Sequence, residues 1–322
     1  MTAPPRPNLF VIGAMKSGTS YLARLLWDHP EVFMSDPKEP CYFVDPRVLR
    51  RNWKWPYRMG YWRSEDRYLS LFAKAGNARI IGEASTVYSR APLFSGVPER
   101  ILRFNPEARL IYVLRDPVQR AISQYWHRAR GWRETRSLHQ AIKADPQYVD
   151  TSSYAEQLKV YLPHFPLERI YVLTLEELEA DPMLHIARLY AWLGVDATFI
   201  PGDAGRTLNA RPEWIEQPRG LGLLDRARSL RAYRRVAPLV PAAIRDAARW
   251  AAVRRVRPEG IDSTATIDYL RTALLPGVRQ LEQLLKRSFP EWTTLHGTPP
   301  GAPVRLERRS VARRLEYGAP VP

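Results

Sequence analysis

The sequence predicts an α/β fold, a three-layer arrangement in which a central parallel sheet is flanked by helices. Two observations carry that expectation. Short apolar runs alternate with helix-patterned stretches through the first half of the chain, the order in which consecutive βαβ units are read. The first of these runs also leads through a glycine-bearing loop directly into a helix start. A length of 322 residues suits one large α/β domain or two small ones. Residues 1–298 are expected to form one domain carrying a basic helical insertion at 219–258, and 299–322 a loose Pro- and Arg-rich tail.

Residues 8–14 read as a buried strand, and 18–28 as the helix after it, with Leu22, Leu25 and Leu26 on one face and His29-Pro30 as its stop. Residues 32–34 and 79–84 give a second and a third strand. The clearest strand is 109–114, R-L-I-Y-V-L, and the helix 117–128 continues it. Residues 154–161 are helical, 169–173 form another strand, and 181–193 a helix that ends at Gly194. A long amphipathic helix over 264–286 carries Leu270, Leu274, Leu281, Leu284 and Leu285. No internal repeat is present.

Composition narrows the class. A hydrophobic fraction of 45% with 11% aromatic residues is enough for a real core and excludes wholesale disorder. Cys41 is the sole cysteine, so a disulfide framework is impossible and a Cys-based zinc set has no ligands. The six His show no metal-like spacing, and no metal is expected. The apolar run at 9–14 is too short for a signal peptide or a membrane span, which predicts a soluble cytoplasmic protein. The net charge of +16 points to anionic partners: nucleotide phosphates, a membrane surface or an acidic polymer. No nucleic-acid partner is expected. Only seven of the 49 basic residues are Lys, so a Lys inside a glycine loop carries information that an Arg elsewhere does not.

Three motifs carry chemistry. V-I-G-A-M-K-S-G-T-S at 11–20 runs strand, loop, helix start; loop amides, a helix N-terminus and Ser/Thr hydroxyls there suit an anion. It is not a Walker A loop, because Thr19 rather than Lys follows Gly18. An ordinary turn with a capping Ser or Thr would read the same way. Arg115-Asp116-Pro117 ends the best strand, with Arg120, Ser123 and Tyr125 on the following helix. The carboxyl edge of a parallel sheet is where ligands bind, although Asp116 and Pro117 equally fit simple helix capping. Asp36-Pro37-Lys38-Glu39-Pro40 fixes a carboxylate near the same edge, either as a general base or as a solvated turn. Together the three describe a site for a bis-phosphorylated nucleotide that activates a hydroxyl.

In this order, V-I-G-A-M-K-S-G-T-S, D-P-K-E-P-x-Y-F, G-E-A-S and Y-V-L-R-D-P-V-x-R-A-x-S-x-Y, the chain resembles the sulfotransferases that use 3′-phosphoadenosine-5′-phosphosulfate (PAPS). It is most similar to the branch of the heparan sulfate enzymes and many bacterial relatives. The resemblance spans about 8–193 and again 270–292, where F-P-E-W closes it. It implies a P-loop-like fold and transfer of a sulfuryl group from PAPS to a hydroxyl, with a sugar or glycolipid as the implied acceptor. By the same resemblance Lys16, Ser17, Gly18, Thr19 and Ser20 hold the 5′-phosphosulfate, and Lys16 stabilises the leaving oxygen. Arg115 and Ser123 bind the 3′-phosphate, and Glu39 takes the acceptor proton.

The sequence departs from that pattern in two places. The second Lys that some carbohydrate-acting members carry after Gly-Glu is Ala84 here, and the late basic loop that closes over the nucleotide has only candidates, Arg211 and the pair Arg219-Gly220. The aromatics Trp53, Trp55, Tyr57, Tyr61 and Trp62 read as core packing ahead of a sugar platform, and His127, near the proposed site, as a surface residue ahead of an acceptor contact. Residues 219–257 hold eleven Arg against Asp225 and Asp246 in helix-compatible sequence. They are read first as a solvated cover of the nucleotide site, then as a peripheral contact with an anionic membrane, then as a glycan cradle. Two other functions compete. A P-loop nucleotide or sugar kinase is opposed by the displaced Lys and the lack of a Mg²⁺-binding set. A non-catalytic polyanion- or membrane-binding protein rests on the basic segment alone.

Overall fold

The computed structural model of the protein describes residues 5–130, 134–202, 215–218 and 253–297. The strands β1 (Leu9–Gly13), β2 (Val32–Met34), β3 (Ile80–Ala84), β4 (Arg109–Leu114) and β5 (Ile170–Thr174) form one parallel sheet in the order β2-β3-β1-β4-β5. Helix α1 (Thr19–Asp28) follows β1; α2 (Pro46–Asn52), α3 (Lys54–Met59) and α4 (Glu65–Leu69) separate β2 from β3; α5 (Val97–Phe104) precedes β4. Between β4 and β5 come α6 (Pro117–Arg130), α7 (Leu138–Ala144), α8 (Gln147–Asp150) and α9 (Tyr154–Tyr161). Then follow α10 (Leu175–Ala180), α11 (Pro182–Leu193), α12 (Thr264–Leu285) and α13 (Thr293–His296).

The apolar runs are continuous because both faces of the sheet are covered. Leu9 and Val11 of β1, with Ile111 and Val113 of β4, pack on Leu22, Leu25 and Leu26 of α1 and Ile186, Leu189 and Leu193 of α11. The alternate residues Phe10, Ile12, Leu110, Tyr112 and Leu114 face the opposite core, built with α5, α6, α9 and α12. This is the three-layer, P-loop-like arrangement the sequence predicts. Because β1 lies between β3 and β4, the chain builds one side of the sheet through β2 and β3, then crosses to the other. That reversal opens a crevice at the carboxyl ends of β1, β3 and β4.

Trp53, Tyr57 and Trp62 pack against the core. Tyr57 stacks on Trp62 at 5.0 Å, and Trp62 Nε1 donates to the Tyr57 carbonyl; of the cluster's tryptophans it is Trp55 that lies half exposed. Packing therefore accounts for these three. The long α12 buries Leu270, Leu274 and Leu281 as expected.

The helical reading of the basic segment 219–258 does not hold near its end. Val253–Val256 is a strand, β7, paired antiparallel with β6 (Ile215–Pro218), as its β-branched residues favour. The rest of the basic segment (219–252), Arg211 and the tail from 298 lie outside the described residues. Among the described residues no helix is long and apolar enough to cross a membrane.

Candidate active site

The crevice begins where β1 slips its register against β4, between Val11 and Gly13. Gly13 has φ 152°, and a Cβ there would lie 1.9 Å from Ser89 Oγ, so the turn admits only glycine. Lys16 follows with φ 70°. Gly18, at φ 86°, is the N-cap of α1 and offers no side chain to cap it. The capping Ser or Thr side chain that would make this an ordinary turn is therefore missing. Ser17 Oγ is buried beside the Tyr154 hydroxyl without a hydrogen bond of ordinary geometry.

Lys38 Nζ occupies the hydroxyls of this turn, donating to Thr19 Oγ1 at 3.0 Å and Ser20 Oγ at 2.9 Å. Arg115, at the end of β4, donates to the Lys16 carbonyl at 3.3 Å, while its own carbonyl accepts from Tyr154 at 2.7 Å. Burial, then Arg115, Arg130 and Lys38, hold the Lys16 ammonium below the usual lysine range. Burial lowers Lys38 as well, against the pull of the Glu39 carboxylate. Among the described residues Lys16, Lys38 and Arg115 form no ion pair, so the crevice concentrates positive charge that an anion would neutralise.

Asp116 and Pro117 do cap α6. Asp116 Oδ1 accepts from the Val118 and Gln119 amides, and Oδ2 accepts from the Leu295 amide. Ser123 lies half-buried on the second turn of the same helix. Arg120, by contrast, is fully buried. It binds Ser152 Oγ at 2.5 Å, Gln124 Oε1 at 2.7 Å and the Tyr148 carbonyl at 2.6 Å. With neutral acceptors around it, burial lowers its pKa to about 10. Tyr154, buried between Tyr112 and Trp292, is thus a packing residue that also steadies Arg115.

Glu39 sits across the crevice with φ 64°. Its amide donates to the Ala84 carbonyl at 2.9 Å. Its carboxylate accepts from the Thr86 amide at 2.8 Å and from Thr86 Oγ1 at 2.9 Å. Burial raises its pKa, outweighing Lys38, the two Thr86 hydrogen bonds and Arg90. Behind it, fully buried Glu83 accepts from Tyr68 at 3.0 Å, Tyr88 at 2.7 Å and Ser85 at 2.6 Å, and burial pushes it up to about 7. The Ser85 hydroxyl in turn accepts from the Cys41 amide.

Of the residues singled out in sequence, Lys16 to Ser20, Arg115 and Glu39 meet at one sheet edge, with Ser123 on the helix leading from it. Two participants were not singled out, Lys38 and Thr86. Lys38 was the scarce residue type in an Arg-rich chain, next to the candidate base, and that was the available signal. Thr86 follows G-E-A-S without any motif of its own. His127, weighed as an acceptor contact, is exposed; elsewhere His139 lies 3.3 Å from Thr266 Oγ1, and His164 faces Glu99.

Residues 7–199 match a family model described as the sulfotransferase family. Among curated proteins, the membrane-associated sulfotransferase kil1 of Dictyostelium discoideum is 36% identical over 119 residues, covering 37% of this chain and 22% of that one. The human heparan sulfate glucosamine 3-O-sulfotransferase 6 is 29% identical over 199 residues, covering 59% of this chain and 52% of that one. The chain therefore spans about half of these relatives or less. A crystal structure of a sulfotransferase from Alicyclobacillus acidocaldarius superimposes with a TM-score of 0.66 at 26% identity, covering 89% of this chain and 99% of that one.

Proposed function

The chain belongs to the sulfotransferase family, and from that premise we propose that it moves a sulfuryl group from PAPS to a hydroxyl of a carbohydrate or glycolipid. The observation that carries this reading is the Lys38–Glu39 pair: one side chain clasps the hydroxyls of the β1–α1 turn, and the next presents a carboxylate across from it. The residues fit a nucleotide with phosphate groups at both ends. The uncapped start of α1, the buried Ser17 hydroxyl and the cations Lys16, Lys38 and Arg115 all suit anionic oxygens.

When bound, PAPS supplies the sulfuryl group, its bond to the 5′-phosphate oxygen breaking as sulfur bonds to the acceptor oxygen. Glu39 takes the acceptor's proton, which suits a carboxylate whose affinity for protons is raised by burial. Lys16, Lys38 and the turn amides offset the charge left on the departing oxygen. Arg115 and Ser123 hold the 3′-phosphate from β4 and α6. Arg211 and Arg219-Gly220, outside the described residues, stay the candidates that the sequence offers for closing over the nucleotide. A sugar acceptor draws support from the resemblance to heparan sulfate sulfotransferases.

Adenosine 3′,5′-bisphosphate is expected to raise the melting temperature well beyond what AMP achieves at equal concentration, since only ligands of the folded state stabilise it. Radiolabelled PAPS offered with a panel of hydroxyl acceptors should give a labelled product. Glu39→Gln should lower its turnover on the order of 10²–10⁴-fold. Equal thermal shifts with AMP would remove the 3′-phosphate role from Arg115 and Ser123.

A further inference from the structure

Resting on the reading of Glu39 as the base, we infer that Thr86 is its positioning residue, gripping both carboxylate oxygens with one hydroxyl and one backbone amide. Thr86 is buried at 5% exposure and opens the short 3₁₀ turn Thr86–Ser89 that leaves β3. Its amide reaches Glu39 Oε2 at 2.8 Å and its hydroxyl reaches Oε1 at 2.9 Å. Each oxygen keeps a further lone pair for a proton.

The surrounding backbone is fixed independently. Glu39 is held in the left-handed region, which non-glycine residues adopt only under constraint. The constraint is the Ala84 carbonyl on its amide, together with the Cys41 amide on Ser85 Oγ and the Ser85 hydroxyl on Glu83. What these bonds leave undetermined is the carboxylate's own rotation, and Thr86 removes that freedom. Pre-organising a base in this way contributes to rate because nothing has to be ordered during the reaction.

The charged and titratable groups facing Glu39 are Lys38 beside it, Arg90 at the end of the 3₁₀ turn, Glu83 on β3 and the buried Cys41 thiol. Lys38 and Arg90 favour the carboxylate, and Glu83 opposes it. Both Thr86 hydrogen bonds favour the ionised form. Removing the hydroxyl should make Glu39 protonate at higher pH and let the carboxylate turn.

Thr86→Val keeps the volume and the backbone amide. With PAPS and a hydroxyl acceptor it should lose on the order of 10-fold in kcat, and the acid limb of its kcat/KM profile should move up by about one pH unit. The thermal shift given by adenosine 3′,5′-bisphosphate should be unchanged, and Thr86→Ser should recover both rate and profile. In a Glu39→Gln background Thr86→Val should add less than about a 2-fold loss, because residues that act through one group are not additive. An unmoved acid limb in the folded variant, or a full 10-fold loss in that background, would overturn the assignment. Wild-type turnover in Glu39→Gln alone would instead sink the reading of the base. Should Thr86→Val prove too unstable to assay, Thr86→Ala makes the same pH comparison.

Discussion

Lys38 and Glu39 are neighbours in sequence yet meet different walls of the crevice. The Lys38 side chain crosses to the β1–α1 turn, and the Glu39 carboxylate stays on the β3 side. Gathering Lys16, Lys38 and Arg115 around one turn costs folding energy, since the two lysine ammoniums lose water and Lys16 also faces like charge. A bound anion would offset that cost. On the proposed function, Lys38, with Nζ on the hydroxyls of the turn, stands in for the lysine that Ala84 does not supply. Lys38→Met should cut turnover on the order of 10²-fold, the usual cost of removing one donor aimed at developing charge, and should shrink the thermal shift given by adenosine 3′,5′-bisphosphate. Unchanged turnover in the folded variant would make Lys38 a structural clamp. Lys16 and Glu39 could be found from motif residues at a strand's end, because local sequence encodes that placement. Thr86 could not, since its contact with Glu39 joins residues 47 apart in sequence.

At the scale of elements, the strands were legible because two covered faces leave each one mostly apolar. Short helices were not. The elements α2, α3 and α4 have only five to seven residues each, less than the two full turns over which a 3.6-residue period can be recognised. In 244–256, Ala and Arg set a helical composition, and the strand at its end follows from pairing with residues far earlier in the chain. The start of α6 shows how much one legible residue can hold. Asp116 supplies the N-cap with Oδ1 and joins α13 through Oδ2 and the Leu295 amide. Asp116→Ala removes the cap and leaves a buried amide unpaired, so the unfolding free energy should fall by about 1–2 kcal/mol, read as a lower urea midpoint at constant m-value. A midpoint within error of wild type would show that water replaces both contacts.

Across the whole molecule, the buried carboxylate of Glu83 couples stability to pH. Three hydroxyls donate to it, yet burial dominates and its pKa lies near 7 against 4.5 for an unhindered Glu. Between those values the unfolded chain releases a proton that the folded chain keeps, so stability falls as pH rises from about 4.5 to 7 and levels off above. The difference corresponds to on the order of 3 kcal/mol at most. Below pH 4.5 both states are protonated and the term vanishes. Glu83→Gln copies the protonated form: its carbonyl can accept from Tyr68 and Tyr88, and its amide can donate to Ser85. The variant should match the wild-type melting temperature near pH 4.5 and exceed it near pH 8, with the gap opening through the interval between. Parallel curves for the two proteins across that interval would mean that Glu83 does not carry the proton.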